Sequence, residues 1–207
     1  FRGGGRGRGA RAMTASGITA PEVRVREGDA GAISLEDARP LPPYPRHLTE
    51  CLDHWASAAP ARTFLAVRDA SGSWLTVSYG ECRERVRALA QALLDRGLSA
   101  DRPLLILSGN GLEHGLLALA AMYVGVLYAP VSPAYSLQTR DYAALARIVR
   151  TMEPGMIFAA DGAAYAGAVA AAAPRELEIV TVDRGPFAST TFGDLERVSP
   201  GRDVDEA

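Results

Sequence analysis

The chain has 207 residues, of which 48 % are hydrophobic, and its formal net charge is −2 at pH 7. A chain of this length can bury enough apolar surface to form a globular core without stabilising disulfides or metals. The small net charge argues against a general attraction to nucleic acid or to a membrane surface. No window holds the roughly 18 apolar residues of a membrane-spanning helix. We therefore expect neither a nucleic-acid partner nor a membrane partner.

The composition also lacks lysine, because all 22 lysine-plus-arginine positions are arginine. Chemistry that needs an ammonium group, such as a Walker-type phosphate contact or a Schiff base, cannot be completed by these residues. The two cysteines, Cys51 and Cys82, have neither metal nor redox spacing. They are typical of ordinary thiols in a reducing compartment, which favours a cytoplasmic location.

The composition of the first 44 residues cannot repay the entropy of ordering, and we expect a disordered or irregular N-terminal arm over 1–44. The arm opens with FRGGGRGRGARAM, and we interpret residues 1–12 as upstream translated sequence or a disordered extension. Residues 14–44 carry scattered charges and few large apolar side chains, so they are predicted to be mostly irregular. Arginine–glycine tracts also bind RNA, which leaves an RNA-associated protein as one alternative.

From Pro45 onward the pattern becomes regular, and we expect the folded domain to occupy 45–207. Apolar residues at helical spacing predict a first helix within 46–60. The segments 63–69 and 73–78, separated by a Ser-Gly turn, predict a β-hairpin.

The next helix has the strongest local signals in the chain. Ser78 and Glu81 have the spacing of a capping box at its start, and Gly97 has the position of a left-handed residue that ends it. Its apolar stripe consists of Tyr79, Cys82, Val86, Leu89, Ala90 and Leu93.

A continuous apolar run at 102–108 predicts a strand that is covered on both faces. Asn110 and Glu113 repeat the capping-box spacing before a helix over 112–123, and the segment 126–131 predicts the following strand.

Three further segments continue the alternation of helices and strands. One helix has the apolar stripe Tyr142, Leu145, Ile148, Val149 and Met152 and ends at Pro154-Gly155. A strand over 156–161, an alanine-rich helix over 163–173 and a strand over 176–183 follow. This order predicts an α/β fold with a mostly parallel sheet flanked by helices.

In open α/β sheets, ligands bind beyond the carboxyl ends of the strands. Two such ends are informative here: LSGNG follows the strand that ends at Leu107, and APVSP follows the strand through Tyr128. The two prolines of the second segment fix the backbone angles and hold Ser132 outside regular structure. We therefore predict a ligand-side loop made of Pro130, Ser132, Pro133, Tyr135 and Ser136. A structural turn that caps the strand explains the same residues.

Other candidate residues lack partners at the required spacing. His114 has no metal-ligand neighbour except Glu113, and His47 and His54 lie on one helical face without a third ligand. No dinucleotide fingerprint or phosphate loop occurs, and no serine lies in a nucleophile-elbow context. The residues alone predict no catalytic group, no confident cofactor-binding residue and no metal site.

Several segments together resemble the AMP-forming acyl-CoA synthetases of the adenylate-forming superfamily. The segment LTVSYGECRERVRALAQALLDRGL resembles their first core motif, with Tyr79 and Glu81 as its aromatic–x–Glu pair. The segment ALAAMYVGVLYAPVSPAYS resembles the second, with Gly125 and Pro130 in matching places. LARIVRTMEPGMIFAAD and TTFGDLERV are similar to the steps that precede the family's phosphate loop. The segment YPRHLTECLDHWASAAPARTFLAVRD is most similar in sequence to the feruloyl-CoA synthase branch.

The resemblance implies that 45–207 is the incomplete N-terminal portion of the synthetase large domain. The complete enzyme is then expected to bind ATP, Mg²⁺ and coenzyme A. It would join a carboxylic acid, ferulate or a related aryl acid, to coenzyme A through an acyl adenylate. The phosphate loop, its lysine, the Mg²⁺-binding carboxylate and the hinge have no counterpart in these residues, so we expect this fragment to bind no cofactor and to be inactive alone.

One detail departs from the resemblance. Many relatives have Asn, then Pro and often a basic residue where this chain has Ser132, Pro133 and Ala134, which weakens the case for a coenzyme A contact from this loop. A stand-alone α/β module that binds a small ligand or a partner without catalysis remains the alternative to an enzyme.

Overall fold

A computed structural model of the chain describes residues 21–139, 141–186 and 190–206. Contacts between residues divide the chain into two compact units, Phe1–Tyr44 and Pro45–Ala207. The interpretation of residues 1–12 falls outside the described residues.

The first unit contains an antiparallel β-hairpin. Strands β1 (Val23–Glu27) and β2 (Ile33–Asp37) pair with Val25 opposite Leu35. The prediction of mostly irregular structure over 14–44 is wrong for this stretch. The sequence VRVRE alternates apolar and charged residues with the period of a strand. Composition, on which the prediction relied, does not detect that alternation.

The second unit begins with a helix and a hairpin, both as predicted. Helix α1 spans Thr49–Ala58, and strands β3 (Thr63–Arg68) and β4 (Trp74–Ser78) pair antiparallel. Asp69 accepts hydrogen bonds from the backbone N–H groups of Ser71 and Ser73, at 2.8 and 2.9 Å. The carboxylate of Asp69 thus provides an acceptor for two backbone N–H groups of the exposed turn that joins the two strands.

Helix α2 (Tyr79–Asp95) has both predicted ends. The backbone N–H of Glu81 donates to Ser78 Oγ at 3.2 Å, and the N–H of Ser78 donates to Glu81 Oε2 at 2.8 Å, which confirms the capping box. At the other end Gly97 adopts the left-handed conformation, with φ of 64°. The predicted stripe is buried except for the half-buried Tyr79.

Five parallel strands form the central sheet in the order β6-β5-β7-β8-β9. They are β5 (Leu104–Leu107), β6 (Tyr128–Val131), β7 (Met156–Ala159), β8 (Glu178–Thr181) and β9 (Thr190–Thr191). The first four confirm the predicted strands, although each is shorter than predicted. The two-residue β9 gave no strand signal in the sequence, because two residues are too few to show a periodicity.

Helices cover both faces of this sheet, which confirms the predicted α/β class. Successive side chains of β5 and β7 point to opposite faces of the sheet, so alternate residues of each strand belong to two separate hydrophobic cores. Helix α2 and helix α3 (Leu112–Tyr123) line the first core, and helices α5 (Ala143–Met152) and α6 (Ala166–Ala172) line the second. Within the described ranges, none of the helices combines the length and apolar character that crossing a bilayer requires.

The predicted second capping box, of Asn110 and Glu113, is wrong. Gly111 is the residue that precedes α3, with an extended backbone, and no side chain caps the helix. The helix begins at Leu112, as predicted, but its N-cap is Gly111 and not Asn110, so Glu113 is two residues from the cap position rather than three. The reciprocal bonds of a capping box need a separation of three.

The segment after β8 is fastened to α2 by polar contacts. It contains helix α7 (Phe192–Glu196) and helix α8 (Asp203–Glu206). Arg85 Nε donates to Glu196 at 2.5 Å, the N–H of Gly201 donates to Gln91 Oε1 at 2.8 Å, and Arg87 donates to Asp205. Val204 is buried in the first core. Helix α2 therefore organises residues more than a hundred positions further along the chain.

A second capping box, not predicted from the sequence, starts α7. The backbone N–H and the hydroxyl of Thr191 both donate to Asp194, and the N–H of Asp194 donates back to Thr191. These bonds, together with Arg197, lower the pKa of Asp194 from 3.8 to about 2. The folded state therefore stabilises the ionised form of Asp194 relative to the unfolded state.

Replacing Ser78 by alanine should lower the free energy of unfolding by about 1 kcal/mol, because the N–H of Glu81 loses its acceptor. Ser78→Asp is the matched control, since its carboxylate can accept the same bond. Urea denaturation of the three proteins measures the difference. Equal midpoints for wild type and Ser78→Ala would show that the capping box does not stabilise α2.

The stability of the wild-type protein should fall between about pH 4 and pH 2 as Asp194 is protonated. Because the pKa of Asp194 is lowered in the folded state, its ionised carboxylate stabilises the fold above the unfolded-state pKa. That stabilisation is lost as the carboxylate takes up a proton in the folded state. Other carboxyl groups titrate in the same range, so the comparison is with Asp194→Asn. The stability difference between the two proteins should shrink from about pH 5 to about pH 2 in urea denaturation. A pH-independent difference would contradict the assignment.

Candidate functional site

The candidate ligand side is the carboxyl edge of the parallel sheet. Because the strands run in one direction, the segments that follow β5, β6, β7 and β8 all leave the sheet at this edge. The two segments singled out in the sequence, 107–111 and 129–133, end neighbouring strands. The structure therefore places them side by side, and adds the segments after β7 and β8.

Pro130 lies inside β6, not after it, and its partner in the register is Ile106 of β5. Strand β6 is the edge of the described sheet. The N–H of Leu104 donates to the carbonyl of Leu127 at 2.9 Å. In a parallel ladder every second residue of a strand bonds to the same neighbour, so the backbone groups of the odd-numbered residues of β6 point toward β5. The backbone nitrogen of Pro130 therefore points to the open side of the sheet. The missing N–H of Pro130 thus costs no ladder bond and makes the open side less suited to pairing with another strand.

The residues after β6 form a short helix, α4 (Ala134–Leu137), where we expected irregular structure. Pro133 stands at its start, and Ser132 Oγ accepts a long hydrogen bond of 3.4 Å from the N–H of Ala134. Ser132 and Tyr135 are exposed, and 45 % of the Tyr135 surface is accessible. Ser132 and Tyr135 are therefore the two members of the predicted loop that present polar groups to solvent.

Ser136, the remaining member, has the opposite placement. Only 3 % of its surface is accessible, on a helix that packs against α5 and α6. In the described part of the chain, its Oγ is the one buried side-chain nitrogen or oxygen without a hydrogen-bond partner. An orphaned hydroxyl of this kind costs about 1–3 kcal/mol. A role for Ser136 on the ligand side stays a prediction.

The segment after β5 is held by its own hydrogen bonds. Ser108, 5 % exposed, donates through Oγ to the carbonyl of Gly109 at 2.8 Å. His114 Nδ1 lies 3.0 Å from the same carbonyl, and this contact requires the proton on Nδ1. A cavity of about 260 Å³ lies between this segment and β3. Both side chains are thus used to position the loop.

Two aspartates at the same edge were missed by sequence reasoning. Asp161 follows β7 and accepts hydrogen bonds from the N–H groups of Ala163 and Ala164, at 3.0 and 2.8 Å. Asp183 follows β8 and accepts from the N–H of Gly162 at 3.3 Å. The signal was available, because each aspartate comes directly after a buried apolar run. Both carboxylates satisfy loop backbone groups.

The loops after β7 and β8 touch through glycine. A Cβ added to Gly162 would lie 2.6 Å from the Cα of Gly185, closer than any real contact. Burial raises the pKa of the neighbouring Tyr165, and the negative charge of Asp161 adds to the effect. The loops after β7 and β8 are thus closely packed where Gly162 and Gly185 meet.

The other histidines also have structural partners. His47 contacts Thr49 Oγ1 at 2.8 Å and Glu50 at 3.3 Å, and the ring of His54 lies edge-on to Trp55. In residues 21–139, 141–186 and 190–206, no group of three or more His, Cys, Asp or Glu side chains could hold a metal ion.

A cavity of about 880 Å³ lies at the opposite, amino-terminal edge of the sheet. Its charged lining residues are Arg96, Arg102, Arg150, Glu153, Glu176 and Glu178. Arg96 Nε donates to Glu178 at 2.9 Å, and helices α2, α5 and α6 end here. The three arginines balance the three glutamates in formal charge, so these side chains favour neither an anion nor a cation. Volume alone does not make this edge the site.

Comparisons with known proteins give a family. Residues 52–204, well over half of the chain, match the sequence model of the family described as AMP-binding enzyme. Bacitracin synthase 3 from Bacillus licheniformis is 30 % identical over 92 residues, which cover 44 % of this chain and 1 % of that protein.

Solved structures share the fold. The luciferase-like enzyme of the nonluminescent mealworm Zophobas morio has a TM-score of 0.63 at 16 % identity, over 87 % of this chain and 38 % of that one. A benzoate CoA ligase from Burkholderia xenovorans LB400 has a TM-score of 0.59 at 20 % identity, over 75 % of this chain and 29 % of that one. The chain thus spans well under half the length of these relatives.

Replacing each of the two buried serines, Ser136 and Ser108, by alanine should have opposite effects on the free energy of unfolding. Ser136→Ala should leave the free energy of unfolding unchanged or raise it by up to about 1 kcal/mol, because it removes an unpaired hydroxyl. Ser108→Ala should lower it by about 1 kcal/mol, because a hydrogen bond is lost. Thermal and urea unfolding test both. A clear loss of stability in Ser136→Ala would mean that its Oγ has a partner.

Proposed function

The chain belongs to the AMP-binding enzyme family, and from this premise we propose that it is the N-terminal part of an ATP-dependent acid–CoA ligase. In the proposed reaction a carboxylate attacks ATP and gives an acyl adenylate and pyrophosphate. The thiol of coenzyme A then displaces AMP and forms the acyl-CoA. The observation that carries the proposal is the family match over residues 52–204. These residues include the parallel sheet whose carboxyl edge is described above.

The fold supports the assignment to the N-terminal part. The parallel sheet flanked by helices matches the N-terminal portion of adenylate-forming enzymes. In this proposal Pro45–Ala207 is the beginning of the synthetase domain and Phe1–Tyr44 is an N-terminal arm. Sequence and fold agree on the order of the elements from the capped helix α2 to strand β8, apart from the short helix α4.

We propose ferulate or a related aryl acid as the substrate. The support is the sequence similarity of two segments, 44–69 and 128–137, to the feruloyl-CoA synthase branch.

The described residues do not fit a site for Mg²⁺ or for the phosphates of ATP. They contain no cluster of carboxylates that could hold a metal, and the whole chain contains no lysine. Asp161 and Asp183 are engaged with backbone N–H groups. We therefore derive no chemical step from these residues and assign nucleotide, Mg²⁺ and coenzyme A binding to other parts of the proposed enzyme.

The proposed role of this part is to shape one wall of the active site. Ser132 and Tyr135 are exposed in the segment that follows β6 at the carboxyl edge. Their hydroxyl groups and the aromatic ring of Tyr135 suit contact with a ligand, without taking part in bond making. Because its substrates are ATP, coenzyme A and a small carboxylic acid, we propose that the enzyme acts in the cytoplasm.

The test compares the complete reading frame with the chain of 207 residues. The complete protein should catalyse ATP–pyrophosphate exchange that depends on ferulate, and the ferulate methyl ester, which lacks the carboxylate, should give none. The shorter chain should release no pyrophosphate with either compound. Ferulate-dependent release by the shorter chain would contradict its proposed inactivity. A complete protein that is inert with aryl and alkyl acids would favour the non-catalytic binding module.

A further inference from the structure

The cavity at the amino-terminal edge of the sheet has the size of a ligand site. Its volume of about 880 Å³ lies in the range of about 300–1,000 Å³ that is usual for small-molecule pockets. All of its lining residues belong to the Pro45–Ala207 unit. Apolar side chains, among them Val149, Ala172 and Leu177, share the lining with charged side chains of both signs. A ligand that fits this lining therefore has an apolar body and charged groups.

Helix ends account for two of the three arginines in the lining. Arg96 follows α2, donates to the carbonyl of Ala92 at 3.0 Å and is paired with Glu178. Arg150 lies in the last turn of α5. Cations at these places complement the negative carbonyl end of a helix. Arg102 lies in the turn before β5 and not at a helix end, so this explanation does not apply to it.

Arg102 is held in place along the cavity. Its backbone N–H donates to Ser99 Oγ at 3.2 Å, and its carbonyl accepts from the N–H of Ser99 at 3.1 Å. Its side chain lies beside two glycines. A Cβ added to Gly155 would lie 3.1 Å from Nε, and one added to Gly97 would lie 3.7 Å from Nη1. Arg102 is therefore a pre-positioned cation, and among the described residues it takes part in no ion pair.

Glutamates and a helix end supply the opposite charge. Glu153 follows α5 in the left-handed conformation, with φ of 45°, where glycine is the usual residue. Residues held in such a conformation cluster at sites that clamp a ligand. Helix α6 has no basic residue in its last turn and ends at the C-cap Ala173, and Glu176 follows it. Within the described ranges, Glu153 and Glu176 form no ion pair. This part of the lining is suited to an ammonium group.

The sheet sets the distance between Arg102 and Glu176. In the register, Leu104 of β5, Met156 of β7 and Glu178 of β8 lie side by side. Arg102 and Glu176 each come two residues before these positions, on the two strands that flank β7. Neighbouring strands lie about 4.8 Å apart, so the two backbones are roughly 10 Å apart. A peptide of two or three residues spans about 7–10 Å, whereas the two charges of a single amino acid are much closer together.

We propose that this cavity binds a short peptide with free termini, two or three residues long, with its carboxylate on Arg102 and its ammonium group on Glu176 and the carbonyl end of α6. The balance of charge that disfavours a simple anion or cation suits such a zwitterion. The apolar part of the lining contacts its side chains. This second site lies at the opposite edge of the sheet from the candidate active site and does not depend on the proposed function.

Binding of the peptide Ala-Leu-Ala to the protein made from its complete reading frame, measured by isothermal titration calorimetry, tests this site. The peptide with free termini should bind saturably. The N-acetylated peptide lacks the ammonium group, and the C-terminal amide lacks the carboxylate. Each should bind roughly tenfold or more weakly, because one charged side chain of the cavity stays without a partner. ATP and ferulate should not displace the peptide.

Three variants assign the termini of the peptide. Arg102→Gln should weaken binding of the free peptide by about tenfold or more, but it should hardly affect the amide, which has no carboxylate. Glu176→Gln should weaken binding of the free peptide likewise and hardly affect the N-acetylated peptide. Arg147→Gln is the matched control, since it removes an exposed arginine of α5 that is outside the lining, and it should change no affinity.

Several results would overturn the inference. Absence of saturable binding, or equal affinities for the free and the two blocked peptides, would mean that the cavity does not recognise a zwitterion. Equal affinities of the Arg102→Gln and Arg147→Gln proteins for the free peptide would remove Arg102 from the site. Displacement by ATP or ferulate would place the peptide at the carboxyl edge. The comparison of free and blocked peptides uses the wild-type protein, so it stands even if a variant does not fold.

Discussion

The burial of both faces of the central strands is the constraint on which the Pro45–Ala207 unit depends. Every residue of β5 is at most 1 % exposed, and its alternate side chains enter two different cores. A strand of this kind is stable only when helices cover both sides, which requires crossover connections and hence parallel neighbours. Parallel strands then end at one edge. The location of the candidate site is therefore a consequence of how the core is formed.

Helix α2 transmits that constraint along the chain. Its buried stripe fills the first core, while its polar side chains fasten the segment that contains α7 and α8. Asp53 of α1 accepts hydrogen bonds from Arg83 of α2 at 2.6 Å and from Tyr123 of α3 at 3.0 Å, so three helices meet at one carboxylate. Arginine supplies most of these cationic contacts, which suits a chain without lysine, since its fork can bond several acceptors.

The sequence predicted the features that depend on local periodicity or on fixed spacing. The Ser78–Glu81 box, Gly97 and the buried strands are of this kind. A one-residue shift was enough to misplace the cap of α3, and the two residues of β9 carried no pattern. At the candidate site, the sequence grouped Ser132 with Ser136, but the structure turns one outward and buries the other. That difference depends on which face of α4 meets α5 and α6, and no short stretch of sequence encodes it.

The central claim is that this chain is the N-terminal part of an acid–CoA ligase, and reading the coding sequence beyond Ala207 tests it most directly. The account predicts that the frame continues into a loop rich in serine, threonine and glycine that contains the lysine absent from these residues. A stop codon immediately after Ala207 would contradict it, because no phosphate-binding group could then be supplied by this polypeptide.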